Sequence, residues 1–145
     1  MDKFLVLGNA GWCKINIGVI CFRASYLTDV PIDCLKSAIN YLEHGEEIYI
    51  HFDSEGCDYW IRSSSEMTFI TTNGDEMYNG ISMYNINAFE LSKVIYRDIS
   101  SNIDGWCDFL ISFDSMEWNN HKDNMTKLLN KLSWLLDIHK NEGGI

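Results

Sequence analysis

Three things are scarce in this sequence: positive charge, proline and long apolar runs. It has 11 Lys and Arg against 21 Asp and Glu, a formal net charge of −10. Binding to nucleic-acid phosphates or to an anionic membrane requires clustered Lys and Arg, so neither is expected. A basic partner suits this charge better. No stretch approaches the roughly 18 apolar residues of a membrane helix, and the apolar run at residues 4–7 is too short for a signal-peptide core.

Pro31 is the only proline, and there is no repeat, low-complexity tract or linker. We therefore predict a single domain over residues 1–145, which agrees with ordinary domain length. Its five cysteines are odd in number and have no Cys-x-x-Cys spacing. This usage indicates reduced, mostly buried thiols and a cytoplasmic protein.

Alternating apolar and polar residues predict strands in the first part of the chain, at 3–8, 13–22, 47–53, 58–63, 66–72 and 77–86. In the second strand Val19 and Cys21 are predicted to share the face of Ile15. In the third, Tyr49 and Asp53 are predicted to lie together with His51, opposite the apolar residues of that strand. Short turns, including Asn73-Gly74, indicate antiparallel pairing.

Helical spacing of apolar residues predicts three helices. The first starts near Pro31 and ends at Gly45, and the second starts at Asn87 with Glu90 completing a capping box. A kink or break is predicted at Gly105, and the third helix carries its apolar stripe from Met125 to Leu136. The predicted fold is α+β, an antiparallel sheet of about five or six strands with helices packed on one face and a helical C-terminus. Residues 1–86 are strand-rich with one inserted helix, and 87–140 are helical.

The sequence contains no P-loop, dinucleotide-binding, zinc-protease or serine-hydrolase motif. His51, Asp53 and Cys57 are the residues from which a small thiol-dependent enzyme could be built, because a thiol nucleophile needs a nearby base. Histidine and carboxylate spacing predicts no metal site, since the calcium-like stretch at 53–58 has Cys57 where an oxygen ligand is needed. We expect neither a cofactor nor a bound metal.

Charge patterning points to a binding surface. Long windows of the chain lack Lys and Arg altogether, and the window between Lys36 and Arg62 is also rich in turns. Aromatic residues interleave with its carboxylates, which is a composition typical of an interface for a cationic partner. The predicted partner-binding residues are Glu46, Glu47, Tyr49, Asp53, Glu55, Asp58, Trp60, Asp75 and Glu76.

The segments 25–31 (SYLTDVP) and 52–56 (FDSEG), together with Leu35, Ala38 and Ile39, resemble small bacterial immunity proteins of polymorphic toxin systems, including contact-dependent growth inhibition. The resemblance covers about residues 10–110. It implies a non-enzymatic cytoplasmic protein that binds one cognate toxin domain, often a basic nuclease, and blocks its active site or substrate groove. It carries over no individual binding residue.

Three other functions stay open beside this one. The first is the thiol-dependent enzyme with Cys57 and His51. The second is an acidic mimic of nucleic acid that inhibits DNA-binding proteins. The third is a structural or oligomeric adaptor, which an exposed apolar strip on the last helix would favour. The oligomeric state also stays open.

Overall fold

In the part of the chain that the structure describes, seven strands form two antiparallel sheets, rather than the single sheet of five or six strands that the sequence predicts. The computed structural model describes residues 2–73, 80–110 and 114–141. The first sheet has the order β1 (Leu5–Leu7), β2 (Trp12–Ile17), β3 (Ile20–Ser25). The second has the order β4 (Ile48–Asp53), β5 (Asp58–Ser63), β6 (Thr68–Asn73), β7 (Gly80–Tyr84). The turn predicted at Asn73-Gly74 extends outside the described residues.

The predicted strand at 13–22 is wrong, because the chain reverses within it. Ile17 pairs with Ile20, so that Gly18 and Val19 form a two-residue hairpin loop. Gly18 has a φ of 58°, and a Cβ at this position would collide with the ring of Tyr84. Val19 is 97% exposed at the tip of the loop. It therefore does not share a buried face with the residues before it.

Four helices complete the described chain: α1 (Val30–His44), α2 (Ala88–Ser100), α3 (Ile103–Asp108) and α4 (Ser115–Asn141). The first begins and ends where the sequence predicts. Asp29 Oδ1 accepts the Ile32 N–H at 3.4 Å, and Gly45 closes the helix with a φ of 72°. The α+β class, the antiparallel pairing and the C-terminal helix are confirmed.

The break in the second predicted helix lies earlier than Gly105. The chain leaves α2 at Ser101, and Asn102 then caps α3 by accepting the Gly105 N–H at 3.0 Å. Asn87 caps α2 as predicted, accepting the Glu90 N–H at 2.9 Å. The Glu90 carboxylate pairs with Lys93 instead of completing the capping box.

Both sheets and the helices contribute to one apolar core. Phe22 of β3 connects the two sheets, because its ring stacks on Tyr59 with centroids 4.0 Å apart and meets Phe52 edge-on at 5.5 Å. Helix α1 packs against α2, α4 and β4. Within the described ranges, no helix combines the length and apolar content needed to cross a membrane.

A buried carboxylate fastens β1 to α2. Asp98, whose side chain is 1% exposed, accepts the backbone N–H groups of Phe4 and Leu5 at 2.7 and 3.0 Å through Oδ2. Its Oδ1 accepts a hydrogen bond from Arg97 Nε at 3.0 Å. These charge-assisted bonds satisfy the carboxylate and so permit its burial.

Candidate protein-binding face

The second sheet has one buried and one uncovered face. Its buried face presents Ile48, Ile50, Phe52, Ile61 and Ile70 to the core. The strand register places the opposite side chains in rows that run across the sheet, and together they form a surface that we call the open face. Its members are Tyr49, Arg62, Phe69 and Met83 in one row, His51, Trp60 and Thr71 in the next, and Asp53, Asp58 and Asn73 in the third.

Large apolar and aromatic side chains occupy the open face. Tyr49 is 56% exposed and Met83 is 61% exposed, while Trp60 and Phe69 are half-buried. Phe69 and Met83 are directly opposite in adjacent strands, where side chains lie about 4.5–5.5 Å apart, whereas Arg62 lies between Tyr49 and Phe69 in the same row. Apolar side chains gathered on one exposed face are a common feature of interaction sites.

Two ion pairs hold polar side chains in place on this face. His51 Nε2 lies 2.8 Å from Asp58 Oδ1, and the imidazole stacks on Trp60 with ring centroids 5.3 Å apart. Arg62 Nε and Nη2 both contact Glu47 Oε1, at 2.9 and 2.8 Å. All four side chains are about half exposed, so the contacts add little stability. Their effect is to orient these side chains on the open face.

Carboxylates lie at both ends of the open face. Among the described residues, no Lys or Arg pairs with Asp53, Glu55 or Glu46. Asp53 Oδ1 accepts the Glu55 N–H at 2.7 Å, which fixes the turn and leaves the Glu55 side chain exposed. At the other end, Asn40 Nδ2 donates to Glu46 Oε2 at 2.8 Å.

A groove of about 450 Å³ between α1 and β4 continues the open face. Burial, followed by the charge of Asp29, raises the pKa of the Asp33 carboxyl in this groove. The carboxylates of Glu46 and Glu47 also line it, beside Lys36. The negative potential of the face therefore extends around the edge of the sheet.

The structure brings most of the predicted site residues together. Tyr49, Asp53, Asp58 and Trp60 lie on the open face, and Glu46, Glu47 and Glu55 lie at its borders. Asp75 and Glu76 lie outside the described residues. Sequence reasoning missed Arg62, Phe69 and Met83. Alternation along β6 and β7 indicates which side chains share a face with Phe69 and Met83. The β5–β6 and β6–β7 registers are needed to show that this is the open face.

The residues of the thiol-enzyme hypothesis do not form a catalytic pair. The Cys57 sulfur lies 3.2 Å from Thr72 Oγ1, on the side of the sheet where Tyr59 stacks on the core. Burial and the hydrogen bond with Cys57 raise the pKa of Tyr59. His51 faces the other way and bonds to Asp58. In the described part of the chain, His51 is therefore not placed to act as the base for Cys57.

The adaptor hypothesis requires an exposed apolar strip on the last helix, and the described residues of α4 do not form one. The stripe on α4 that includes Met125 and Leu132 is buried, and Trp134, 62% exposed, is the one large apolar side chain exposed along its second half. Across 2–73, 80–110 and 114–141, no three His, Cys, Asp or Glu side chains are grouped to hold a metal ion.

No protein-family model matches this chain, and no curated protein or solved structure matches it significantly.

Proposed function

We propose that this protein is a non-enzymatic inhibitor that binds one basic protein domain on the open face, as an immunity protein binds its toxin. The observation that carries the proposal is a partly exposed sheet face that presents Tyr49, Trp60, Phe69 and Met83, with carboxylates at both ends. Aromatic anchors within a polar rim are the usual composition of protein interfaces. The free thiols suit the cytoplasm, where we place this function.

Each part of the face has a distinct role in this proposal. Tyr49 and Trp60 are the anchors that lose water on binding. Asp53, Glu55 and Asp58 meet Lys and Arg of the partner at one end, as do Glu46 and Glu47 at the other. Opposite charge speeds encounter and rejects wrong partners more than it adds affinity.

Two features favour a protein partner over mimicry of nucleic acid. The guanidinium of Arg62 sits among the carboxylates and interrupts any continuous row of negative charge. The apolar patch at Phe69 and Met83 has no counterpart on a phosphate backbone. A mimic would bind several unrelated DNA-binding proteins, whereas the proposed inhibitor binds one.

The test is binding to the domain encoded immediately upstream of this gene. Purified protein and domain are mixed at low and moderate salt, and association and dissociation are followed by surface plasmon resonance beside an assay of the domain's toxicity. We expect a stoichiometric complex and loss of toxicity. Absence of binding at both salt concentrations contradicts the proposal.

Charge-reversed and anchor variants locate the binding surface. We expect Glu55→Lys combined with Asp58→Lys to slow association about tenfold at low salt and to reduce its salt dependence. The matched control reverses two exposed carboxylates on α4, Asp123→Lys and Asp137→Lys, and leaves the association rate nearly unchanged.

Tyr49→Ala weakens the complex about 30-fold through faster dissociation. Wild-type kinetics in the first and third variants would remove the open face from the proposal.

A further inference from the structure

The outer face of the first sheet concentrates positive charge in an acidic protein. Lys14 of β2 and Arg23 of β3 are directly opposite each other in the strand register, and both are exposed. Like charges at opposite positions destabilise a strand pair. Five other cations have carboxylate partners within 4.0 Å: Arg62, Lys93, Arg97, Lys122 and Lys131. Within the described part of the chain, six have none: Lys3, Lys14, Arg23, Lys36, Lys127 and Lys140. Of these, Lys14 and Arg23 are directly opposite each other in a sheet.

A tryptophan lies beneath one of these cations. The Arg23 guanidinium lies over the Trp12 ring, 4.6 Å from its centroid. A guanidinium keeps its N–H donors in its own plane, so contact with a ring through its flat side leaves those donors available to bind a carboxylate with two hydrogen bonds. A small concavity of about 250 Å³ adjoins the pair and is lined also by Gly8 and Asn9.

We propose that Trp12, Lys14 and Arg23 form a docking site for a short acidic segment of a protein, with carboxylates of that segment seated on the two cations. Charge complementarity selects this occupant. A nucleic acid fits less well, because two cations displace only about two counterions, against the 6–10 phosphate contacts of a typical binder. The net charge of −10 would also repel a long polyanion. The site lies on the first sheet and does not depend on the function proposed for the open face.

The test uses the tetrapeptide acetyl-Glu-Glu-Glu-Glu-amide as the probe. It is titrated into ¹⁵N-labelled protein at low salt, and the Trp12 indole and Arg23 Nε–H resonances are followed by NMR. We expect saturable shifts centred on these two groups. Arg23→Gln weakens binding about tenfold, since it removes a charge-assisted contact. Lys14→Gln, which leaves the Arg23–Trp12 stack intact, also weakens it. The matched control, Lys127→Gln, removes an exposed cation from α4 and leaves binding unchanged.

Competing ligands provide the other outcomes. A single-stranded oligonucleotide that shifts the same resonances at lower concentration than the peptide overturns the proposal in favour of nucleic acid. Inorganic phosphate that binds as well as the peptide overturns it in favour of a simple anion site. Shifts that are absent, or that persist unchanged in both Arg23→Gln and Lys14→Gln, overturn it outright.

Discussion

At the scale of the residue, three buried cysteines show how burial controls ionisation. Desolvation raises the pKa of Cys13 to about 12 and that of Cys107 to about 11. It also raises the pKa of Cys34 well above the ordinary value of 9.0. A thiol in such surroundings stays neutral and packs as a small apolar group.

The raised pKa values predict a loss of stability in alkaline solution. The folded state keeps the thiol proton while the unfolded thiol releases it near pH 9, so the stabilising contribution is complete below that pH. It falls as the pH rises toward about 12 for Cys13, by up to about 1.4 kcal/mol per pH unit for each thiol. Urea denaturation under reducing conditions, between neutral pH and about pH 10.5, measures this slope.

Single-cysteine variants separate this effect from other alkaline titrations. Cys13→Ala is expected to have a shallower pH slope, while Cys21→Ala, at an exposed position, keeps the wild-type slope. Equal slopes in the two variants would show that Cys13 burial does not control the transition.

Local alternation predicted part of the site at this scale. The shared orientation of Tyr49, His51 and Asp53 was predicted, because a strand alternates its side chains with a period of two. The contact of His51 with Trp60 required the β4–β5 register, and the pairing of Arg62 with Glu47 required side-chain conformations. Neither follows from spacing along the chain.

At the scale of the element, Ser37 of α1 closes the outer edge of β4. Its hydroxyl accepts the Tyr49 N–H at 2.9 Å and donates to the Tyr49 carbonyl at 3.2 Å. A bare strand edge offers such groups to another chain, so proteins cover it.

Ser37→Ala tests this role. We expect a loss of about 1 kcal/mol in the free energy of unfolding and faster hydrogen exchange at the Tyr49 amide. Ser100→Ala is the matched control, since that hydroxyl bonds only a carbonyl of its own helix, Arg97 O. An unchanged exchange rate at Tyr49 in Ser37→Ala would contradict the assignment.

Two predicted element boundaries were wrong because a longer periodic pattern outweighed a short local signal. The alternation from Cys13 to Phe22 hid the reversal, although Gly18 supplies the positive φ that a two-residue hairpin needs. The break in the second predicted helix was placed at Gly105, whereas it lies before α3, where Asn102 is a good N-cap. In each case one residue marks the true boundary: Gly18 for the hairpin and Asn102 for the start of α3.

At the scale of the whole molecule, Phe22 determines how the two sheets unfold. Because its ring contacts Phe52 and Tyr59 of the other sheet, we expect Phe22→Ala to cost about 3–4 kcal/mol. Denaturation followed at amides of β2 and of β5 should give one coincident, lowered midpoint. The matched control, Phe69→Ala on the open face, costs less because Phe69 is half-buried. Separate midpoints for the two sheets in the wild-type protein would contradict this coupling.

The assembly of strands into sheets was the least predictable feature at this scale. The α+β class and antiparallel pairing follow from short turns and from the periods of the pattern. No local signal states whether β3 pairs with β4 across α1, because that choice depends on contacts such as that of Phe22 with Tyr59.

The hydrogen bond from the Phe4 amide to Asp98 joins residues that are translated at different times. Phe4 is added to the chain 94 residues before Asp98, whose carboxylate accepts this bond. At about 5–20 residues per second, the first strand waits roughly 5–20 s on the ribosome before its acceptor exists. Until α2 has emerged, the apolar side chains of Phe4 and Leu5 have no finished core to enter. During this interval the nascent chain exposes apolar surface of the kind that chaperones bind.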